Sequence, residues 1–436
     1  MKPFPAGFLW GTSQAGHQIE GDNFDSDWWH WEQRPGRIDG GTNSQDAAQH
    51  LSQFKRDFDL ARDLGQNAFL FSLEWARIQP REGEFNEAAL VHYRNVLQAL
   101  AARKIEPICV LQHVTVPRWF AEKFGWHHRN APALFEAYAQ RIAQELGGLC
   151  NWWIPIREPM HWCTMAYMLR KWSPARRSPA RARRSIQHMA EAHAAAYRAL
   201  KQANPPAMVG SAILARRFQP LDSESPWDYR AALREQRRCN RLWLDALTEG
   251  RWPLRRGSDV TLRGSIDFAG VSYYGNENIR FSVMNPSRIF SQLTRPSGEA
   301  IPGVEFEPHP QGLREILNDL SDYGLPIIVT ANGLATNQDP ERCQYLVDHA
   351  LALSQSLDDG VDLRGYCVRS LLDGFEWDAG DTQRYGLVHV DRKTHVRTPN
   401  ASALVYKELC TTNALSSGTV AKYHLSDPES ASQERA

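Results

Sequence analysis

Apolar runs typical of β-strands alternate with helical segments along almost the whole chain. The strand-like runs cover residues 8–12, 67–73, 106–111, 152–156, 208–214, 267–271, 326–330 and 365–371. The clearest helical segments cover 87–103, 131–147, 185–204, 228–248, 311–323 and 341–357. Such alternation predicts parallel strands in an α/β fold. We expect a single closed (β/α)8 TIM barrel, because the count reaches eight and no GxGxxG turn follows the first strand.

The predicted barrel covers residues 1–410 as one domain. The remaining segment, 411–436, is rich in Ser, Ala and Glu. We expect this tail to lie outside the core, since such a composition has little apolar surface to bury.

Composition limits the possible partners and compartments. Lys and Arg number 50, as do Asp and Glu, so net charge gives no reason to expect nucleic acid or a membrane surface. No apolar run is long enough for a signal peptide or a membrane span. The seven scattered cysteines lack CxxC spacing, which predicts reduced thiols in the cytoplasm. With no His/Cys/Asp cluster at ligand spacing, we expect no metal and no cofactor.

Polar and aromatic residues recur where the predicted strands end. In TIM barrels the functional site is built from the carboxyl ends of the strands. The residues that follow six of the runs are Gln18, His113, Glu158, Tyr274, Ala331, and Glu376 with Trp377. Their shared position predicts one site at that end of the barrel.

Several motifs in order resemble glycoside hydrolase family 1, the β-glucosidase and 6-phospho-β-glucosidase family, from about Phe4 to Leu409. The motifs are Phe8-Leu9-Trp10-Gly11-Thr12, Gln18-Ile19-Glu20-Gly21, Phe71-Ser72 with Trp75-Ala76-Arg77-Ile78, Leu111-Gln112-His113, Arg157-Glu158-Pro159, Ser370 to Trp377, and Arg384-Tyr385-Gly386-Leu387. The resemblance implies the same barrel fold and activity on β-glycosides.

The resemblance also assigns roles to single residues. Glu158 matches the acid/base, whereas Ala331 stands in the place of the nucleophilic glutamate, so this chain resembles a divergent member without that carboxylate. Hydrolysis with retention uses two carboxyl groups about 5 Å apart. Tyr274 matches a tyrosine that touches the nucleophile and the ring oxygen. The positions that match sugar-hydroxyl binding residues are Gln18, His113, Glu376 and Trp377.

Four further positions depart from the family pattern. Leu70 replaces an arginine that pairs with the nucleophile, and the joint loss of both partners avoids an unpaired buried charge. Arg157 and Ser272 each replace an asparagine, and Arg369 replaces a tryptophan platform. The new guanidinium groups either bind an anionic ligand or form internal pairs with nearby carboxylates such as Glu158.

A basic segment follows the fourth strand. Seven cations lie within 15 residues without an acid: Arg170, Lys171, Arg176, Arg177, Arg181, Arg183 and Arg184. The segment is either solvated surface or a region that guides an anionic substrate, polymer or partner into the site.

Three functions compete. We favour an atypical family-1-like glycosidase or transglycosidase acting on a β-glycoside, including anionic or 2-substituted ones, with Glu158 as general acid/base. The alternative is a non-catalytic carbohydrate-binding protein of the same fold. In the third, the basic mouth docks an anionic polymer and the pocket is vestigial. The expected ligand is a saccharide or glycoside, and the oligomeric state is left open.

Overall fold

The computed structural model describes residues 2–252, 259–284, 291–294 and 308–424. Its strands are β1 Leu9–Gln14, β2 Ala68–Ser72, β3 Glu106–Gln112, β4 Trp152–Ile156, β5 Met208–Val209, β6 Ser211–Pro220, β7 Ala269–Phe281, β8 Ser291–Thr294, β9 Ile327–Asn332, β10 Leu363–Val368, β11 Val388–Val390 and β12 Arg397–Pro399. β8 pairs antiparallel with the end of β7, and β11 pairs with β12 in a separate two-stranded sheet.

The main sheet closes into a barrel. Its parallel strands run in the order β5-β4-β3-β2-β1-β10-β9-β7-β6. Only Gly210 separates β5, which pairs with β4, from β6, which pairs with β7, so these two form one interrupted strand. A Cβ at Gly210 would lie 2.5 Å from the ring of Phe268. Eight strand positions therefore form a ring, and the predicted α/β barrel is confirmed.

Helices surround the barrel and cross its mouth. They are α1 Gly16–Ile19, α2 Asp27–Glu32, α3 His50–Asp63, α4 Trp75–Ile78, α5 Glu87–Ala102, α6 Arg118–Lys123, α7 Ala131–Leu146, α8 Pro159–Cys163, α9 Pro179–Ala203, α10 Pro226–Gln236, α11 Leu242–Glu249, α12 Pro310–Ser321, α13 Asp339–Asp358, α14 Ala401–Thr412 and α15 Ser417–Tyr423. Two π-helical turns, Thr164–Leu169 and Arg237–Arg241, follow α8 and α10.

Element boundaries differ from the prediction in three places. β7 continues to Phe281, so Tyr274 lies within a strand instead of after it. The helix predicted over 228–248 is divided into α10 and α11 by the second π-helical turn. α9 begins at Pro179, before the predicted residue 185, because Ser178 Oγ accepts from Arg181 N at 3.3 Å and caps the helix.

The barrel interior is apolar below the site. Its buried cluster comprises Leu70, Ile108, Val110, Ile154, Ala212, Phe268, Ile328 and Cys367. A larger cluster fills the layer between the strands and the outer helices. Leu70 therefore occupies a fully apolar setting, in which an unpaired arginine would be costly.

The first part of the tail packs against the barrel. Leu415 is buried, and Val420 and Tyr423 on α15 pack against the main core. Residues 425–436 lie outside the described residues, and the division at residue 410 stays a prediction. No helix within the described ranges is long and apolar enough to cross a membrane.

Candidate functional site

A cavity of about 370 Å³ opens at the carboxyl end of the barrel strands. This volume is typical of small-molecule sites. Seven predicted site residues line it: His113, Arg157, Glu158, Tyr274, Arg369, Glu376 and Trp377. The other three predicted residues, Gln18, Ser272 and Ala331, are buried behind the lining.

Glu158 is held at the cavity wall by its backbone and by two basic side chains. It follows β4 with a left-handed backbone (φ 55°), and its N–H donates to Ala212 O at 2.7 Å. Glu158 Oε1 lies 3.2 Å from Arg157 Nε, and Oε2 lies 3.7 Å from His113 Nε2. The carboxylate is thus fixed against a guanidinium from the adjacent residue.

These contacts set the protonation of the cavity wall. Burial opposes the charge of Glu158, but Arg157 and His113 outweigh it and hold its pKa well below the usual range. Burial and the charge of Arg157 lower the pKa of His113 to about 4. At neutral pH the site therefore contains a carboxylate beside a neutral imidazole. A general acid needs a proton at the working pH, which Glu158 lacks in this state.

Arg369 forms a second internal ion pair. It directly follows β10, contacts Glu376, and donates from Nη2 to Gln18 Oε1 at 3.0 Å. Gln18 Nε2 in turn donates to Glu376 Oε2 at 3.0 Å, and the guanidinium lies 5.3 Å from the ring centre of Tyr385. Burial opposes the charge on Arg369, but Glu376 and the nearby phenols raise its pKa overall. Arg369 thus contacts the polar side-chain atoms of Gln18 and Glu376, two of the residues expected to bind sugar hydroxyls.

A third pair lies at the rim. Lys171 Nζ lies 3.4 Å from Asp378 Oδ2, and Trp172 Nε1 donates to Asp378 Oδ1 at 2.7 Å. Each of the three cations that line the cavity therefore has a carboxylate neighbour. This geometry favours internal ion pairs as the role of the arginines. It does not favour the alternative, in which they bind an anionic ligand.

Ala331 does not reach the cavity. It is fully buried near the end of β9, where its register partner is Ser272 on β7. Ser272 Oγ lies 3.3 Å from Thr330 Oγ1 and accepts from Arg157 Nη2 at 3.4 Å. Arg157 therefore spans from β4 to β7.

The strand ends at β9 and β10 are packed together just beyond Ala331. A Cβ at Gly333 would lie 2.0 Å from Arg369 O, so only glycine fits there. Ala331 itself has no solvent exposure.

Aromatic rings form one side of the cavity. Trp377 stacks on His17 with ring centres 5.7 Å apart, and Trp172 and Trp28 lie 5.9 Å and 4.9 Å from it. Burial raises the pKa of Tyr274, so its phenol stays neutral. Neutral aromatic faces beside polar groups suit a ligand with both apolar ring faces and hydroxyls.

Sequence reasoning missed several lining residues. His161, Trp172, Asp378 and Tyr385 line the cavity without having been singled out. Tyr385 lies in a motif that carried the resemblance, and Asp378 follows Trp377 directly, so both had a local signal. His161 and Trp172 are brought in by the fold of the β4–α9 connection and had none.

Comparisons with known proteins agree on one family. Residues 1–415 match the model of glycosyl hydrolase family 1. The chain is 28% identical to a 1,4-β-D-glucan glucohydrolase from Thermotoga neapolitana, over 95% of this chain and all of that protein.

Solved structures give the same result. A β-glycosidase from Pyrococcus horikoshii superposes with a TM-score of 0.90 at 31% identity, covering 98% of this chain and 99% of that one. A β-glucosidase from Thermotoga maritima in complex with glucoimidazole gives 0.89 at 27% identity, covering 95% of this chain and all of the other.

No group of His, Cys, Asp and Glu suited to a metal ion occurs in the parts of the chain that the structure describes. The side chains that line the cavity provide carboxylates, guanidinium groups, one ammonium group, two imidazoles and aromatic rings.

Proposed function

Because the chain belongs to glycosyl hydrolase family 1, we propose that its cavity binds a β-glycoside and does not cleave it by the double displacement expected of that family. Double displacement needs a protonated acid and a second carboxylate about 5 Å away. The observation that carries the proposal is the Arg157–Glu158 pair, which keeps Glu158 ionised.

The missing second carboxylate supports the same conclusion. At the position that the resemblance assigns to the nucleophile, Ala331 offers a methyl group that is fully buried. A methyl group cannot act as a nucleophile, and the residues that line the cavity do not include Ala331.

Binding is supported by the retained polar and aromatic groups. His113 Nδ1 is buried and has no hydrogen-bond partner among the described residues, an arrangement that costs free energy unless a ligand satisfies it. Gln18 and Glu376 can exchange their contacts with Arg369 for ligand hydroxyls. Related structures with glucoimidazole and deoxynojirimycin support a sugar-sized ligand.

Calorimetry and product analysis together test the proposal. We expect methyl β-D-glucoside, methyl β-D-galactoside or the matching uronides to bind with measurable heat while NMR detects no released sugar. Glu158→Gln should weaken binding by removing the partner of Arg157. Glu122→Gln, at an exposed surface pair, is the matched control and should bind normally. Absence of binding to every glycoside contradicts the proposal.

The second candidate is an atypical glycosidase or transglycosidase. The observation that favours it is that Glu158, His113 and Tyr274 all line one cavity, as catalysis on a bound glycoside requires. In this case an ionised Glu158 accepts the proton of an attacking hydroxyl as its oxygen bonds to the anomeric carbon, the glycosidic bond breaks, and an activated aryl aglycone leaves as the phenolate. NMR that follows the anomeric configuration of activated aryl β-glycosides distinguishes this function from binding without cleavage. Turnover that is lost in Glu158→Gln establishes this function and rejects pure binding, whereas turnover unchanged in that variant excludes this role for Glu158.

A further inference from the structure

A dense group of cations lies in the segments that follow β3 and β4, at the end of the barrel where the cavity opens. We define the basic patch as Arg170, Lys171, Arg176, Arg177, Arg181, Arg183 and Arg184 together with His127, His128 and Arg129. No Asp or Glu occurs between residues 159 and 190. Because the whole chain has no net charge, this concentration is a local feature of one surface.

Two separate connections build the patch. His127 precedes α7, whereas the arginines belong to the β4–α9 connection and the start of α9. Burial lowers the pKa of His127, and the charges of Arg181, Arg176 and Arg184 lower it further. These three guanidinium groups are therefore near one imidazole, and the fold brings like charges together.

The start of α9 adds to the positive field. Arg181, Arg183 and Arg184 lie in its first two turns, and no acid occupies the first turn. A helix N-terminus carries partial positive charge and normally favours acidic side chains. Like charge at this end is unfavourable by itself, and a bound anion would offset it.

The patch meets the cavity at Lys171. Arg170 and Lys171 are exposed, and Lys171 also lines the cavity beside Trp172. A chain whose end occupies the cavity and whose next sugars pass Lys171 would run toward the arginines that follow Lys171 in the sequence. The charges inside the cavity are paired with one another. The sugar that occupies the cavity therefore need not be anionic.

We propose that the basic patch binds the acidic chain of an oligosaccharide whose terminal sugar occupies the cavity. This inference rests on the proposed saccharide binding and adds the substrate class, a polymer of uronic-acid type. Arginine forks recognise carboxylates. The patch meets a cavity that has aromatic walls and hydroxyl-binding groups. This favours a saccharide as the ligand over a nucleic acid or an acidic protein.

The test compares an acidic and a neutral chain of equal length. A 1,4-linked β-D-mannuronate tetramer and cellotetraose are titrated into the whole protein from 20 to 300 mM salt. We expect the mannuronate tetramer to bind at least tenfold more tightly at low salt and to lose that advantage as salt rises. Equal affinity of the two tetramers, or a salt-independent difference, overturns the proposal.

Charge reversal locates the effect. Arg183→Glu with Arg184→Glu should weaken binding of the mannuronate tetramer at least tenfold and leave cellotetraose unchanged. The same change at Lys55 and Arg56, two exposed residues of α3, is the matched control and should leave both unchanged. An unaltered mannuronate affinity in the patch variant rejects the patch as the binding surface.

Two further probes separate this inference from the proposed function. Methyl β-D-glucoside binding reports on the cavity alone, so its loss would reject saccharide binding whatever the patch does. A single-stranded tetranucleotide that binds as tightly as the mannuronate tetramer would overturn the choice of a saccharide chain. Weak tetranucleotide binding with intact glucoside binding supports both proposals.

Discussion

Arg157 determines what Glu158 can do. The guanidinium contacts the carboxylate, reaches Ser272, and is near enough to influence Cys367 inside the barrel, whose pKa burial raises to about 12. At the position where the resemblance implies an arginine on β2, the chain has Leu70. A buried guanidinium is present at Arg157, directly after β4, and its partner is Glu158.

Replacing Arg157 should raise the pKa of Glu158. In Arg157→Gln, burial would no longer be outweighed by the adjacent cation, so the carboxyl should titrate above its usual range. Carbon-13 NMR of labelled glutamate measures the change. Lys171→Gln is the control, because Lys171 pairs with Asp378. An unchanged Glu158 titration in Arg157→Gln would show that another group holds the pKa down.

A carboxylate introduced at Ala331 should destabilise the protein. Ala331→Glu places a charge at a fully buried position and should lower the free energy of unfolding by about 3 kcal/mol. Adding Leu70→Arg should recover part of that loss if the two side chains pair. Urea denaturation of the single and double variants measures the coupling.

The neutral Ala331→Gln variant separates charge from size. It should be less destabilised than Ala331→Glu, because its amide carries no net charge. Equal stability of the single Ala331→Glu variant and its Leu70→Arg double variant would show that residue 70 is no partner for a carboxylate at residue 331.

At the scale of elements, α3 is tied to the β11–β12 hairpin by a buried ion pair. Arg397 Nε and Nη2 donate to Asp57 at 2.9 Å and 3.1 Å, and Asp57 Oδ2 lies 2.8 Å from His50 Nδ1. The side chains of Arg397 and Asp57 have no solvent exposure. This cluster attaches the hairpin to the outside of the barrel.

Asp57→Asn should destabilise the protein by about 3–5 kcal/mol, because it leaves Arg397 buried without a counter-charge. Urea denaturation measures this, with Asp63→Asn at an exposed pair as a near-neutral control.

Burial opposes the charge of Asp57, but His50 and Arg397 lower its pKa overall. The wild type should therefore lose this stabilisation as pH falls below the ordinary aspartate range, whereas Asp57→Asn should show less of that loss. A denaturation midpoint equal to that of the control would contradict the assigned role.

The sequence predicted elements well where burial alone defines them. Runs such as Trp152–Ile156 are apolar because both faces of a barrel strand are covered. It failed where polar residues continue a strand, as at Asn276 and Glu277 on β7, because their partners on β6 are distant in sequence. The site residues were identified by motif, but the pairing of Arg369 with Glu376 depends on where two connections place long side chains, which no local pattern specifies.

At the scale of the whole molecule, Asn413, at the end of α14, binds the N-terminal segment of the chain. Its side chain donates to Phe4 O at 2.6 Å and accepts from Trp10 Nε1 at 2.8 Å, while its carbonyl accepts from Phe4 N at 2.9 Å. Its left-handed backbone (φ 56°) ends α14. The residue therefore connects the last long helix to the first barrel strand.

Asn413→Gly and Asn413→Ala should separate these two roles. Loss of the side-chain hydrogen bonds should lower the free energy of unfolding by about 2 kcal/mol in either variant. Alanine should cost roughly 1 kcal/mol more, because it is strained in the left-handed region that glycine adopts freely. Thermal denaturation ranks the three proteins. A Gly variant as stable as the wild type would show that the side-chain bonds contribute little.

The two buried ion pairs in the cavity, Arg157–Glu158 and Arg369–Glu376, and the exposed cations of the adjacent patch respond differently to dissolved salt. Salt screens exposed charges over about 10 Å at 0.1 M but weakens buried contacts far less. Under the proposed binding, rising ionic strength releases the chain of a polymer while its terminal sugar stays held. A bound polymer then pivots about one end, and the ionic strength of the surroundings sets how much of its length lies on the protein.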